Sequence, residues 1–574
     1  MKKKIYSLVI LAGSLFLSAV TNAQEQFIWA RSAGADMGWE EAAGIARDNS
    51  GNIYVAGTFQ GRIAFGSTNV LSSGASDVIV AKYNPAGTLQ WARKIGQGTT
   101  FGGDEIAKAI AVNGAGNAIY VLASYSNITD SLNFLTNGSI KIAPSSGAED
   151  LFIARLDANG AVTWARKIGG SGVEDGGAIG VFSNGDFIVT GTYNVDVTID
   201  SDYYVSNGNS DLFVVKYNSD GSQAWSFTTG NGLNTISVAD LKIKSNGDFY
   251  LGGEFRGSAD FDLTTITSNG ESDAFLAKYD STAALIYVTN YGGLNKDGIK
   301  KLYIDNFNQL YAAGYYTGAG VTIGSTNLPN DTLSDVFIIK YDNTDNQLFV
   351  KTANGNGQNI PYGLYVAGTG TNKRIYLSGT FENVIDFGIS TVTNNPEQKA
   401  SLGQKDIFIA YYDSLGNVIS SARAGGLNSE TNAGIVADNS NNMYIFGAYR
   451  AQAGFAPFSL TVVGGSDLYI ARYGVNTTGI IEAANNKIMQ VYPNPSNGFV
   501  NLNFSDAAEY QVKIFDVRGV CVVNETVTTL KTQLDLSHLS NGIYGAVWFG
   551  KCPWGRRGRY NQSAPPVTLR KQVA

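Results

Sequence analysis

Eight acidic residues spread between positions 40 and 430 are the best candidates for chemistry in this chain. If they lie close together, their carboxylates could hold a hard cation such as calcium, which takes oxygen ligands, or position sugar hydroxyls. A pair at a suitable separation could cleave a glycosidic bond. The competing interpretation is that they cap turns and keep the surface soluble, as most acidic side chains do. The eight are Glu40, Glu41, Asp104, Glu105, Glu174, Asp175, Asp297 and Glu430.

The sequence offers few residues that could perform nucleophilic catalysis. The only histidine is His538, near the C-terminus, so the residues before it can form no Ser-His-Asp or Cys-His arrangement. Histidine-rich metal sites are excluded there for the same reason. The GNG and GGSG runs lack the lysine and the helix of a phosphate-binding loop. The sequence therefore predicts no catalytic residue, metal-ligand set or cofactor, and a structural cation such as calcium stays an open alternative.

These acids lie between copies of a sequence segment that recurs seven times, so the repeated structure must position them. SDVIVAKYNPAGTLQW at Ser76 to Trp91 returns almost unchanged at Glu149 to Trp164 and at Ser210 to Trp225. In each copy an Asp opens a short apolar run, which is typical of a strand buried on both faces. A turn leading into that strand explains seven copies better than catalysis does. The recurrent residues are Asp77, Asp150, Asp211, Asp273, Asp335, Asp406 and Asp467.

Three further short phrases complete each repeat. Upstream of the Asp lies a segment such as GNIYVAGTF, before that a segment such as GIARD, and after the Asp phrase a segment such as TLQWARKIG. We label the four strands A (GIARD type), B (NIYVAGTF type), C (DVIVAKY type) and D (TLQWARKIG type). Four strands repeated seven times predict an all-β fold, a seven-bladed β-propeller.

The N-terminal strand is predicted to close the ring. The seventh repeat stops after strand C, at LYIARYG, whereas FIWARSAG (Phe27 to Gly34) matches the strand D phrase. The tripeptide Trp-Ala-Arg marks this phrase at Trp29, Trp91 and Trp164. Pairing the first strand into the last blade would remove an open sheet edge.

The connections divide between the two faces of such a disc. The A to B and C to D turns are short and uniform, whereas the B to C and D to A connections are long and varied. Variable loops on a rigid scaffold tend to carry binding residues. We therefore take the face with the B to C and D to A connections, called the long-loop face, as the candidate binding face. The eight acids fall in its D to A connections.

The repeats resemble the SBBP family of β-propeller repeats of secreted bacterial proteins, over about Phe27 to Gly474. That resemblance implies the fold and no particular activity. After the repeats, VYPNPSNGFVNLNF, YQVKIFDVRGVCV and LDLSHLSNGIY follow in order. These segments resemble the type A C-terminal sorting domain of the type IX secretion system of Bacteroidetes. The resemblance implies a small β-sandwich, recognition by an outer-membrane translocon, and release or attachment at the cell surface.

The chain departs from that family after Tyr544. GAVWFGKCPWGRRGRYNQSAPPVTLRKQVA runs on for thirty residues, with six basic residues between Lys551 and Lys571 and poor strand sequence. An adapted tail and a shifted reading frame are both open. Cys521 and Cys552, the only cysteines, could form a disulfide after export, but two cannot be a framework for 574 residues.

The first residues read as a secretory signal peptide: three lysines, an apolar run and small residues ending at Ala23. Removing the lysines with it takes the formal net charge from −7 to −10, which disfavours nucleic acid as a partner. No later stretch is apolar and long enough to span a bilayer. The predicted organisation is a signal peptide (1–23), a propeller (24–478), a linker (479–488) and a sorting domain with an atypical end (489–574).

These observations predict an exported, non-catalytic propeller for binding, adhesion or scaffolding, with a glycan or protein ligand on the long-loop face. The alternative is a carbohydrate-active hydrolase or lyase that uses loop carboxylates. A third interpretation makes the propeller a rigid spacer. The position of the acids decides between the binding module and the enzyme, because an enzyme needs two or three acids with perturbed pKa values in one pocket.

Overall fold

The computed structural model describes residues 25–34, 38–73, 75–96, 103–127, 131–134, 140–230, 234–329, 332–388, 397–475, 489–492, 498–504, 510–516, 520–540, 542–551, 560–562 and 567–571. Two compact units divide between Val475 and Asn476. The predicted signal peptide and linker lie outside the described residues.

Within its described residues, the first unit contains forty-two strands in seven blades. The N-terminal strand is β1 (Glu25–Ala33). Blade 1 contains β2 (Glu41–Arg47), β3 (Ile53–Phe59), β4 (Arg62–Phe65), β5 (Thr68–Leu71), β6 (Asp77–Tyr83) and β7 (Leu89–Ile95). Blade 2 contains β8 (Asp104–Val112), β9 (Ile119–Ser126), β10 (Leu132–Asn133), β11 (Lys141–Ile142), β12 (Asp150–Leu156) and β13 (Val162–Gly169). Blade 3 contains β14 (Glu174–Val181), β15 (Phe187–Tyr193), β16 (Asp196–Ile199), β17 (Asp202–Val205), β18 (Asp211–Tyr217) and β19 (Gln223–Thr229).

Blade 4 contains β20 (Thr235–Ile243), β21 (Phe249–Arg256), β22 (Ser258–Phe261), β23 (Thr264–Thr267), β24 (Asp273–Tyr279) and β25 (Leu285–Tyr291). Blade 5 contains β26 (Gly298–Ile304), β27 (Leu310–Thr317), β28 (Thr322–Ile323), β29 (Thr326–Asn327), β30 (Ser334–Tyr341) and β31 (Gln347–Gly355). Blade 6 contains β32 (Asn359–Ala367), a 3-10 turn (Gly370–Asn372), β33 (Arg374–Phe381), β34 (Val384–Asp386), β35 (Gln398–Ala400), β36 (Asp406–Tyr412) and β37 (Val418–Gly426). Blade 7 contains β38 (Gly434–Ala437), β39 (Met443–Tyr449), β40 (Ala453–Phe455), β41 (Phe458–Leu460) and β42 (Asp467–Val475), with β1 at its outer edge.

The predicted seven-bladed propeller and its closure are confirmed. Within each blade, strands A to D pair antiparallel in chain order from the centre outward. β1 pairs with β42 as the missing strand D of blade 7, with Phe27 opposite Tyr473 and Ala33 opposite Leu468. The first strand therefore fastens the ring.

The strand D tryptophans pack from one blade onto the next. The ring of Trp29 covers Gly87 in the C to D turn of blade 1, so closely that a Cβ there would lie 2.7 Å from the indole. Gly87 also has a φ of 77°, which favours glycine. Trp91 over Gly160 and Trp164 over Gly221 repeat the contact. In these three turns the last glycine thus makes room for the tryptophan of the neighbouring blade.

The B to C connections are more regular than their sequences suggest. Each contains a two-stranded hairpin, from β4 and β5 in blade 1 to β40 and β41 in blade 7. Three hairpins also pair with strand D of the preceding blade, as where Ile199 lies opposite Ile168. Much of the length that the sequence presents as variable loop is therefore a repeated tie between blades. Within the described residues, the structure contains no helix with the length and hydropathy of a membrane span.

The second unit contains small antiparallel sheets. Its strands are β43 (Met489–Tyr492), β44 (Phe499–Phe504), β45 (Tyr510–Phe515), β46 (Cys521–Val527), β47 (Lys531–Asp535), β48 (Gly542–Lys551), β49 (Tyr560–Gln562) and β50 (Val567–Lys571). Val500, Leu502, Val512 and Ile514 are buried in its core. Contrary to the expectation of poor strand sequence after Tyr544, β49 and β50 both pair with β48. Cys521 is exposed, and Cys552 lies outside the described residues.

Candidate functional site

Five of the eight predicted binding acids are buried. Glu40, Glu105, Glu174, Asp297 and Glu430 are each at most 1% exposed. They occupy one repeated position, directly before or at the start of strand A, and lie at five different blade junctions. The structure therefore does not bring them together in one pocket.

At four of these junctions, those of Glu105, Glu174, Asp297 and Glu430, the acid lies near the recurrent Asp of the preceding blade. The recurrent Asp closes the B to C connection, because its carboxylate accepts a backbone N–H from four residues earlier. Examples are Ser73 to Asp77 at 2.6 Å, Asn269 to Asp273 at 3.1 Å and Leu402 to Asp406 at 2.9 Å. The acid of strand A closes the D to A connection in the same way.

The strand A acids use the same spacing of four residues. Gly170 donates its N–H to Glu174 at 3.0 Å, and Gly426 donates to Glu430 at 3.1 Å. Gly293 donates to Asp297 at 2.7 Å. A carboxylate thus accepts a backbone N–H in the B to C connection of one blade, and a second carboxylate does so in the D to A connection that leads into the next blade. The two carboxylates lie at the same blade junction.

When two carboxyl groups are held together away from water, the pKa of one of them is raised. Burial, with Asp406 beside it, raises the pKa of Glu430 to about 8. Burial likewise raises the pKa of Asp297 to about 7, with a smaller contribution from Asp273. The pKa values of Glu105 and Glu174 are also raised, first by burial and then by Asp77 and Asp150, to which they hydrogen-bond. A carboxyl group with a pKa raised this far keeps its proton to a higher pH than an exposed one does.

Basic side chains from strand D compensate the remaining charge at three junctions. Lys94 lies 3.6 Å from Asp77, Lys167 lies 3.0 Å from Asp150, and Arg423 lies 2.9 Å from Asp406. One proton and one cation therefore offset the two carboxylates. Such an arrangement ties blades together and leaves no carboxylate open to a ligand at these junctions.

The other three predicted acids are accessible. Glu41 is exposed at the start of β2, and Asp175 is exposed beside Lys108 at 2.8 Å. Asp104 is half-buried and accepts a hydrogen bond from Ser76 at 2.7 Å. They belong to different blades. Among the described residues, no group of three or more Asp, Glu, His or Cys side chains is arranged to hold a metal ion.

A polar pocket on the long-loop face was missed by the sequence reasoning. It measures about 750 Å³ and spans blades 3 to 5. Its floor includes Ile236, at the position where five other blades have a buried acid, and its wall includes Glu254. The other lining residues are Thr192, Ser210, Thr235, Ser237, Phe255, Arg256, Glu271, Ser272, Lys296 and Tyr315.

Contacts inside this pocket hold two of its side chains in place. Tyr315 donates its hydroxyl to Glu254, and Lys300 lies 3.8 Å from the same carboxylate. Arg256, Glu271 and Lys296 are exposed, and the 4.0 Å separation of Lys296 from Glu271 makes only a weak surface pair. The sequence did carry a signal: Glu254 and Tyr315 stand where other repeats have Thr, Ser or Ala.

A second cavity of about 340 Å³ lies at the centre of the ring. It is lined by strand A of all seven blades, from Ala43 to Val436. Blades 1, 2, 3 and 7 contribute mostly Gly, Ala, Val and Ile, whereas blades 4 to 6 contribute Asp240, Lys242, Lys301, Tyr303 and Tyr365. Most polar and aromatic side chains of the lining therefore come from blades 4 to 6, whereas Arg47 and Lys108 are the charged residues among the small and aliphatic ones of the other blades.

Two family models match parts of the chain. Residues 490–547 match the secretion system C-terminal sorting domain, and residues 197–223 match a domain of unknown function (DUF5122) described as a beta-propeller. The chain is thus a β-propeller with a type IX sorting domain, which indicates secretion or a cell-surface location. The narrower SBBP resemblance stays a prediction.

The curated relatives are distant. The regulatory protein FlaEY of Caulobacter vibrioides is 23% identical over 245 residues, covering 40% of this chain and 25% of its own. An uncharacterized WD repeat-containing protein of Acanthamoeba polyphaga mimivirus is 23% identical over 509 residues, covering 74% of this chain and 36% of its own. The matches thus span only about a quarter to a third of those relatives.

Solved structures are also distant. A Dyadobacter fermentans protein of unknown function is 10% identical with a TM-score of 0.37, covering 79% of this chain and 99% of its own. A chain of the mitotic checkpoint complex is 8% identical with a TM-score of 0.37, covering 82% and 99%.

Proposed function

We propose that this protein is a non-catalytic binding module of the bacterial cell surface, delivered by the type IX system, which holds a glycan or protein ligand on its long-loop face. The observation that carries the proposal is the polar pocket across blades 3 to 5. It is large enough for a polar group of a polymer, and it opens on the face where the repeats vary most.

The chemistry of the pocket suits a hydroxyl-rich or charged ligand. Arg256 and Lys296 offer donors, Glu254 and Glu271 offer acceptors, and the hydroxyl groups of the lining serines and threonines can do both. The fixed Tyr315 and Glu254 supply a preorganised wall, whereas the exposed charges can adjust. Antibody binding surfaces likewise combine rigid aromatic anchors with adaptable polar contacts.

The hydrolase alternative has less support. Acids with raised pKa values are present, but each is buried at its own junction and bound to a structural Asp. A glycosidase needs two carboxyl groups on opposite sides of one scissile bond. The perturbed acids follow the sevenfold repeat rather than a substrate.

An array of glycans and host-matrix proteins tests the proposal. The purified chain without residues 1–23 is expected to bind one ligand class, and Arg256→Gln is expected to weaken that binding at least tenfold. Asp220→Asn, a matched neutralisation in a C to D turn on the opposite face, should leave it unchanged. No binding on the array would contradict the proposal and favour a spacer, and turnover of a bound glycan would favour the hydrolase.

A further inference from the structure

The central cavity is basic in a protein that is acidic as a whole. Its lining residues include Arg47, Lys108, Lys242 and Lys301, against Asp240 as the one acid among them. The whole chain has a formal net charge of −7. The lining of the cavity is therefore opposite in sign to the chain as a whole.

Asp240, the single acid of the lining, already has partners for both of its carboxylate oxygens. Oδ1 of Asp240 accepts the N–H of Leu241 at 2.9 Å and lies 2.6 Å from Nζ of Lys242. Its Oδ2 accepts the N–H of Leu302 at 2.9 Å. Asp240 therefore balances Lys242 and joins blade 4 to blade 5, with little capacity left for another cation.

Two of the cations lack partners. In the part of the chain that the structure describes, Nζ of Lys301 forms no ion pair and no hydrogen bond, and the buried Nε of Arg47 has no hydrogen-bond partner. Lys108, in contrast, is paired with Glu149 at 3.3 Å and with Asp175 at 2.8 Å. A confined cation without a partner is costly, because burial weakens its hydration. Consistently, burial lowers the pKa of Lys301, although Asp240 opposes the shift.

Lys301 is an exception to the repeat. It stands at a strand A position where five blades have a small residue, Gly44, Ala109, Ala178, Gly363 or Gly434, and where blade 4 has Asp240. The position is crowded in blades 6 and 7: a Cβ on Gly434 would lie 2.9 Å from Ile45 of the next blade, and one on Gly363 would lie 2.6 Å from the backbone N of Ile435. Asp240 joins blade 4 to blade 5 through its hydrogen bond to Leu302, whereas the amine of Lys301 makes no such contact in the described part of the chain.

We infer that the central cavity is a binding site for a small oxyanion, a carboxylate- or phosphate-bearing molecule, with Lys301 as the cation that holds it and Arg47 as a second cation of the lining. Tyr303 and Tyr365, whose rings lie 4.8 Å apart at the same wall, line the site beside these cations. The volume of about 340 Å³ accommodates a molecule of the size of a sugar acid. The site is distinct from the pocket across blades 3 to 5 and does not depend on it.

Titration calorimetry with D-glucuronate and with inorganic phosphate tests the inference on the full chain. Binding of either probe is expected, and Lys301→Met should weaken it at least tenfold while Lys301→Arg retains it. Arg47→Met provides a second variant if Lys301→Met unfolds, as judged by circular dichroism. Lys141→Met, at an exposed position of β11 outside both pockets, should have no effect.

The two probes distinguish the source of the oxyanion. A preference for glucuronate would identify an organic acid, and a preference for phosphate would identify a phosphate group. No binding of either probe at millimolar concentration would overturn the inference. Equal binding by the wild type, Lys301→Met and Arg47→Met would also overturn it, because the anion would then lie elsewhere.

Discussion

Asn359 donates its side-chain N–H to Oδ1 of Asp335 at 3.0 Å, across the junction of blades 5 and 6. Glu105, Glu174 and Glu430 occupy the equivalent position at other junctions, each beside its own Asp. An amide donates permanently, whereas a carboxyl group donates only when protonated. The Asn359 junction thus shows the hydrogen bond that a protonated acid could form at the others, whose pKa values are raised first by burial and then by the neighbouring Asp.

The propeller should lose stability as the pH rises from about 4.5 to about 8. The pKa values of Glu430 and Asp297 are raised to about 8 and about 7 in the folded chain, so the folded state holds protons that the unfolded state releases. The stabilisation from these bound protons is fully present at a pH below the pKa that the two acids have in the unfolded chain. It is lost as the pH rises through their pKa values in the folded chain. Each such proton contributes a slope of up to about 1.4 kcal/mol per pH unit. Urea unfolding at pH 5, 7 and 9 measures it, and stability that rises over this range would contradict the account.

Glu174→Gln should stabilise the propeller at pH 9 and change little at pH 5. The glutamine amide can donate to Asp150 as Asn359 donates to Asp335, and its oxygen can keep the N–H of Gly170. A buried hydrogen bond to a charged group is worth about 2 kcal/mol. The free energy of unfolding at the two pH values is the measurement, with the exposed Glu41→Gln as control. Equal effects of both variants would show that burial of the pair is irrelevant.

Trp29→Ala should destabilise the ring by about 3 to 5 kcal/mol, the usual cost of removing a buried tryptophan. Trp29 is 5% exposed and covers Gly87 across the point where the ring closes. Trp164→Ala, which removes the same contact over Gly221 inside the ring, is the matched control. Thermal unfolding compares the two variants. If Trp29→Ala is silent, then closure by β1 does not depend on this contact.

The architecture was predictable because the residues that pack within and between blades recur in each repeat of the sequence. The strand phrases, the Asp at the start of strand C and the Trp-Ala-Arg of strand D each recur, so period and closure could be read without coordinates. The hairpins inside the B to C connections were not predicted, because their sequences differ while their pairing is the same.

The candidate sites were less predictable for a physical reason. Aligning the repeats draws attention to shared acids such as Glu105 and Glu174, and shared residues serve the shared structure. Residues that break the repeat are better candidates for function, such as Lys301 where most blades have Gly or Ala, or Glu254 where most have Thr, Ser or Ala. Side-chain burial and partners are needed to see this, since the sequence does not show which acids pair.

The comparison of two variants on the ligand array tests most directly the claim that recognition lies in the surface pocket and not in the repeated acids. One variant replaces Glu105, Glu174 and Glu430 with glutamine, and the other carries Arg256→Gln and Glu271→Gln. The account predicts that the first keeps the wild-type binding profile and that the second loses it. Loss of binding in the first variant with retention in the second, both being folded, would contradict it.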